Sequence, residues 1–348
     1  MNASNDLKRN VHRLLIRSTN WIGDAIMTTP AVCAIRRNFP GARITMLAKP
    51  WVAPVFDHSP HVDEVLVYDA NGRHHGVGGT IRLARDLRAH RFDAAILLQN
   101  AVEAALIAFL AGIPKRIGFD TDARRLLLTH PVRCTRAIKS IHQTGYYLKI
   151  LEGVGLAGGD ATLELHLNPE DRRRADHILA EAGIASKRPI VGLNPSATYG
   201  PSKQWFPERY AALGDLLHEA FNATIVIFGG PSDRDLGQRI GGLMRAPVFD
   251  LSARTNLGEA MALIDRCDAF VTNDSGLMHV AAALNTPLVA IFASTNPVAT
   301  GPHSPTSRVV RAPIGCSPCL KPVCPLTHTD CMRMISVDMV FDAVKDLL

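Results

Sequence analysis

Short apolar runs alternate with longer amphipathic segments along the whole chain. Runs at 13–18 (RLLIRS), 43–48 (RITMLA), 62–69 (VDEVLVYD) and 92–99 (FDAAILLQ) read as strands. Between them, 25–39, 79–91 and 101–113 place apolar residues at helical spacing, the last closing on Gly112 and Pro114. A helix at 141–155 precedes LAGGDAT (156–162), a linker by its composition. The pattern then restarts, with strands at 188–196, 223–230, 247–251, 268–274 and 287–293. Apolar strands alternating with helices predict parallel sheets covered on both faces. Two such series predict an α/β chain of two Rossmann-like domains, 1–157 and 158–348, facing across a cleft. The final helix is expected to return to the N-terminal domain. Ligands of such sheets bind outside the carboxyl ends of the strands, so the chemistry is sought there.

Three strand ends carry unusual residues. The first run is followed by Asn20, Trp21, Ile22, Gly23 and Asp24, then a helix. Gly23 permits a close turn, and Asp24 alone can be an acidic first-turn residue. There is no G-x-G-x-x-G, so an ordinary dinucleotide fingerprint is missing. The second is NPSATYGPSKQWFP (194–207), where Ser196, Thr198 and Lys203 suit an anion, although a surface loop with a solvated lysine also fits. The third is Asn273, Asp274, Ser275 and Gly276, with His279 one turn into the next helix. Ser275 or Asp274 can cap that helix. Its free N–H groups and dipole equally suit a phosphate. Capping accounts for Ser275 and Asp274 but not for His279.

Taken together, the motifs resemble those of the lipopolysaccharide heptosyltransferases, glycosyltransferase family 9. The similarity runs through WIGD (21–24), LLxN (97–100), AGIPKRIG (111–118), GPSKxW (200–205) and TNDSGLMHVAAAL (272–284), the last being the most specific. The resemblance implies the GT-B fold. It also implies inverting transfer of L-glycero-D-manno-heptose from ADP-heptose to the inner core growing on Kdo-lipid A. An inverting transfer needs a base for the acceptor hydroxyl and stabilisation of the departing diphosphate. Asp24 matches the family's base position, and burial that raises its pKa would suit the task. Lys203 matches the position that contacts donor phosphate. Asp274, Ser275, Gly276 and His279 match the donor-binding motif, with Ser196 and Thr198 on the neighbouring loop. Trp21, Gly23, Asn100 and Arg124 are the candidate acceptor contacts. Many relatives carry a basic residue three positions past the Asn of LLxN; this chain has Glu103, which leaves the acceptor's phosphorylation open.

Charge and composition refine this picture. A net charge of +6 favours anionic partners. The stretch from Lys115 to Lys139, with Arg116, Arg124, Arg125, Arg133 and Arg136, is either a solvated face or a contact for Kdo, lipid A phosphates or the anionic inner leaflet. Only 6% aromatics and no recognition-helix signature argue against nucleic acid. No membrane span or signal-peptide core is visible, so a monomer in the cytoplasm, peripheral to the inner membrane, is expected. Asp233 and Asp235 in SDRD open a helix and read as first-turn acids rather than metal ligands. The resemblance also implies metal-independent chemistry, with Lys203 and helix dipoles in place of an ion, so no metal and no cofactor is expected in catalysis. Cys316, Cys319, Cys324 and Cys331 have a spacing that could serve zinc, but with one close pair only; free or redox-labile thiols are the preferred reading. The competing functions are another family 9 transfer, such as onto a different acceptor, and a sugar-nucleotide epimerase of the same fold.

Overall fold

Runs rich in Leu, Ile, Val and Ala, buried along most of their length, form the strands of two parallel sheets. A computed structural model describes residues 7–184 and 187–348. The chain divides into two units, residues 1–166 and 167–348. In the first, β1 (Arg13–Arg17), β2 (Arg43–Ala48), β3 (Glu64–Val67), β4 (Ala94–Leu97), β5 (Lys115–Phe119) and β6 (His130–Val132) lie in the order β3-β2-β1-β4-β5-β6. In the second, β7 (Ile190–Asn194), β8 (Thr224–Ile227), β9 (Val248–Asp250), β10 (Ala269–Asn273), β11 (Leu288–Ile291) and β12 (Ser307–Val310) lie in the order β12-β11-β10-β7-β8-β9. Every pairing is parallel. The two orders are the same doubly wound topology. In each unit the winding reverses between the first strand and the fourth, at β1/β4 and at β7/β10, and ligand crevices of such sheets open there.

Each unit has its own apolar core. One is built around Leu15, Leu47, Leu97 and Phe92, with Leu83 and Leu87 from the helix Gly76–Ala89. The other gathers Val191, Ile225, Val271 and Ile291, with Tyr210 and Leu213 from the helix Pro207–Phe221. The last helix, Val337–Lys345, buries Val340 and Val344 in this second core and packs on the helix Pro207–Phe221, β11 and β12. It thus sits within the second unit. Strands β5, β6 and β12 were not legible as apolar runs. Each is short and toward an edge of its sheet, and each carries polar or proline residues (KRIGF, HPV, SRVV). No helix among the described residues is long and apolar enough to cross a membrane.

Candidate functional site

In the second unit the switch point is crowded with polar groups that fold the strand ends onto one another. Asn194, the last residue of β7, donates through Nδ2 to Thr272 Oγ1 and to Ser275 Oγ, both at 2.8 Å. Ser275 in turn accepts from the N–H of Met278 (3.4 Å), capping the helix Gly276–Leu284. Asn273 accepts from the N–H of Trp205 and from the Tyr210 hydroxyl, each at 3.1 Å, and donates to the carbonyl of Pro195 (2.7 Å). The two strand tips are therefore fastened to each other and to the loop that carries Lys203.

At the centre is an ion pair. Lys203 Nζ lies 2.7 Å from Asp274 Oδ2, with 15% and 5% of the two side chains exposed. The Thr295 hydroxyl donates to the same oxygen at 2.6 Å. Lys203 Nζ also stands 4.9 Å from the centroid of Tyr199. His279 is buried on the first turn and a half of the helix. Ser196 is half-buried at the loop's base and Thr198 is exposed. All the donor-side residues expected from sequence thus lie at this switch point or on the loop that leaves it.

The lysine loop has a second support that the sequence did not announce. Gly200 has φ 152° and stands against the backbone of Pro322; a Cβ there would lie 2.4 Å from the Pro322 carbonyl oxygen. Ser202 donates its N–H to that same carbonyl (3.1 Å), and its hydroxyl reaches Ser294 Oγ (2.9 Å). Tyr199 donates to Leu320 O at 2.8 Å. The segment that holds Cys316, Cys319, Cys324 and Cys331 is therefore the buttress of the Lys203 loop. All four cysteines are free thiols lining one pocket with Pro201, Ser202 and Phe206. Asp233, as read from sequence, serves its helix start, accepting the Gly230 N–H at 2.8 Å.

The first unit presents its own switch point. Asp24 lies in the short helix Ile22–Met27 directly after β1. The fully buried Tyr147 faces it: burial, then the Asp24 charge, pushes the phenol well above its usual range. Gly23 is buried and Trp21 is 62% exposed. Asn100 donates to the Tyr146 hydroxyl and accepts from Arg124 Nη2, both at 2.8 Å. Arg124, expected to face the acceptor, is instead fully buried. It spends its donors on the carbonyls of Phe119 (2.6 Å) and Gln99 (2.5 Å) and on Asn100, locking the end of β4. Burial lowers its pKa to about 10.

Three residues missed in the sequence complete this end. Arg17, Lys49 and Tyr68 stand at the carboxyl ends of β1, β2 and β3, and all three are buried. Lys49 Nζ lies 3.5 Å from the Tyr68 centroid, and the Arg17 guanidinium carbon 5.3 Å from it. Burial, then the Arg17 charge, pulls the Lys49 ammonium down; burial takes Arg17 to about 10. The Tyr68 hydroxyl makes a short bond to Glu103. Glu103 is thus the counter-charge for two buried cations, which gives it a physical role in this chain. Arg17 Nε and the hydroxyls of Ser18 and Thr19 are buried without a hydrogen-bond partner. Each such group costs about 1–3 kcal/mol, a cost that recurs where a polar ligand is to be received.

Comparison with known proteins places these features. The profile of glycosyltransferase family 9 (heptosyltransferase) matches residues 80–329. Lipopolysaccharide heptosyltransferase 2 of Salmonella typhimurium is 32% identical over 308 residues, covering 86% of this chain and 88% of that one. The structure of Escherichia coli ADP-heptose LPS heptosyltransferase II superposes with a TM-score of 0.81 at 27% identity, covering 96% of this chain and 98% of the other. A family 9 glycosyl transferase from Veillonella parvula gives a TM-score of 0.86 at 26% identity, covering 98% of both chains. The paired six-stranded parallel sheets are those of the GT-B fold, and the chain belongs to glycosyltransferase family 9, the heptosyltransferases.

Proposed function

We propose that this protein is an inverting transferase that moves L-glycero-D-manno-heptose from ADP-heptose to heptose I of the lipopolysaccharide inner core on Kdo-lipid A. The observation that carries this reading is the convergence of Lys203 and Thr295 on Asp274 at the start of the helix Gly276–Leu284. A cation beside a helix N-terminus at a switch point suits a diphosphate, and the heptosyltransferase 2 relatives supply the class of sugar.

In this reading the second unit holds the donor and the first the acceptor. Lys203 turns from Asp274 toward a phosphate oxygen, and Ser196, Thr198, Gly276 and His279 complete the donor site. As the bond from the anomeric carbon to the diphosphate breaks, negative charge collects on the leaving oxygen, where Lys203 and the helix N–H groups stabilise it. Asp24 takes the proton of the attacking hydroxyl as the new C–O bond forms on the opposite face, which inverts the centre. Lys49 and Arg17, with Asn100 and Trp21 nearby in sequence order of the strand ends, receive an anionic group of the acceptor. The exposed Arg125, Arg133, Arg136 and Lys139 suit the anionic inner leaflet. The reaction so drawn uses no divalent ion and no cofactor, and a monomer suffices.

The test offers ADP-heptose with Kdo-lipid A bearing or lacking heptose I, and reads the products by mass spectrometry. One added heptose on the heptosylated acceptor alone is expected. Extension of bare Kdo-lipid A would instead assign the first heptose transfer. Change of the sugar nucleotide without any acceptor would identify an epimerase.

A further inference from the structure

Away from both switch points, the first unit gathers four metal-ligating side chains. Cys33, buried, lies on the helix Thr29–Asn38. His61 precedes β3, and Glu164 and His166 lie on the irregular segment 156–168 that leaves this unit. His61 Nε2 is 2.7 Å from Glu164 Oε2, and His166 Nε2 is 3.7 Å from the same oxygen. One ligand atom each from Cys33, His61 and Glu164 lies within 4.8 Å of the other two, the only such group among the described residues. Tetrahedral zinc, with bonds of about 2.0 Å to nitrogen and about 2.3 Å to sulfur, sets its ligands roughly 3.3–3.6 Å apart. The His61–Glu164 and His166–Glu164 separations bracket that spacing, and His166, which stands outside the three-residue group, would swing in as the fourth ligand.

A His61–Glu164 ion pair alone requires neither the thiol nor the second imidazole. A divalent cation at this point would neutralise the Glu164 carboxylate and take the Cys33 sulfur as a thiolate ligand. One sulfur, two imidazoles and one carboxylate form a donor set suited to zinc rather than to magnesium or calcium, which take oxygen.

We infer that Cys33, His61, Glu164 and His166 form a zinc site that fastens segment 156–168 to the helix Thr29–Asn38. The same helix already grips that segment at two points. Asn38 exchanges hydrogen bonds with Ala157 (2.8 and 3.2 Å), and Thr29 Oγ1 accepts the Glu164 N–H at 3.1 Å. It also follows directly on Ile22–Met27, the helix that carries Asp24. The ion would thus clamp the chain where it leaves the first unit, one helix away from the candidate base.

The test strips the full chain of metal, reloads it with zinc or cobalt, and removes excess ion by dialysis. About one equivalent of zinc per chain is expected, with X-ray absorption showing one sulfur and three nitrogen or oxygen neighbours. Cobalt should give a thiolate charge-transfer band that disappears in Cys33→Ser and His61→Gln and persists in Cys331→Ser. Circular dichroism of the metal-free variants checks their fold, and the wild-type absorption spectrum decides the matter even if a variant unfolds. Failure of folded wild-type protein to retain either ion would leave only an ion pair. A four-sulfur spectrum, or a band lost in Cys331→Ser and kept in Cys33→Ser, would place the ion among Cys316, Cys319, Cys324 and Cys331. Either result overturns the proposal.

Discussion

The roles proposed for Asp24 and Lys203 are opposite, and single substitutions should separate them. If Asp24 takes the acceptor proton, Asp24→Asn should lower kcat by roughly 10²–10⁴ and leave ADP-heptose affinity within about twofold, because the ground state does not use the carboxylate. Near-normal turnover by the variant would remove that role. Lys203 is harder to probe, because its removal leaves Asp274 buried with the Thr295 hydroxyl still donating to its carboxylate but no cation beside it. Lys203→Met should therefore reduce both stability and ADP affinity, the first by a few kcal/mol. Adding Asp274→Asn removes the stranded charge. The double variant should recover most of the stability and none of the affinity, since a phosphate contact has no substitute there. Thermal melts and calorimetric titration with ADP check the two halves separately; affinity that returns with stability would show that Lys203 does not touch the diphosphate. These residues were legible in sequence because each lies in a contiguous motif at a strand end. Arg17, Lys49 and Tyr68 were not, because they come from three strands and meet only after the sheet orders them β3-β2-β1. Arg124 misled for the opposite reason: a basic run gives no sign of which member turns inward, and Arg124 does so to satisfy two acceptors past the end of β4 and one at the end of β5.

The elements explain why these residues meet at all. Both sheets reverse their winding beside their first strand, so the tips of β1 and β4, and of β7 and β10, are left without a crossover above them. Apolar patterning identified nine of these strands because buried parallel strands are apolar throughout; the edge strands β6 and β12, and β5 beside β6, carry polar residues or proline and escaped it. The more consequential omission was the cysteine segment. Its spacing drew attention to metals, whereas its backbone contacts show it propping the 194–207 loop through Pro322 and Leu320. A direct consequence concerns Gly200. Alanine there adds a Cβ 2.4 Å from the Pro322 carbonyl oxygen, on a backbone with φ 152° that side chains resist. Gly200→Ala should cost about 1–3 kcal/mol and displace Lys203, raising the donor KM. Gly41→Ala, where nothing lies within 4 Å of the added carbon, is the matched control. Equal donor KM values in the two variants would show that the loop does not depend on this buttress.

Each sheet has its own apolar core, so loss of an ion from the first unit is expected to leave the core under the second switch point in place. That separation shapes what chelation should do. At the second switch point the groups available for leaving-group charge are a lysine and a helix N-terminus, and the acidic pair Asp233 and Asp235 sits at another helix start, with Asp233 engaged by the Gly230 N–H. Transfer should therefore continue in excess EDTA with its initial rate within about a factor of two. An ion that supplied several kcal/mol of charge stabilisation would, on removal, cost on the order of 10² or more. A structural zinc in the first unit predicts a different signature: normal initial rates, followed by a slow decline that tracks loss of structure rather than chelator mixing. Initial-rate assays at mixing and after prolonged incubation, with circular dichroism in parallel, separate these cases. Immediate loss restored by magnesium would move the leaving-group role from Lys203 to a bound ion and make Asp233 and Asp235 its candidate ligands. The same slow decline in Cys33→Ser without any chelator, unaffected by adding EDTA, would instead tie the decline to the clamp on segment 156–168.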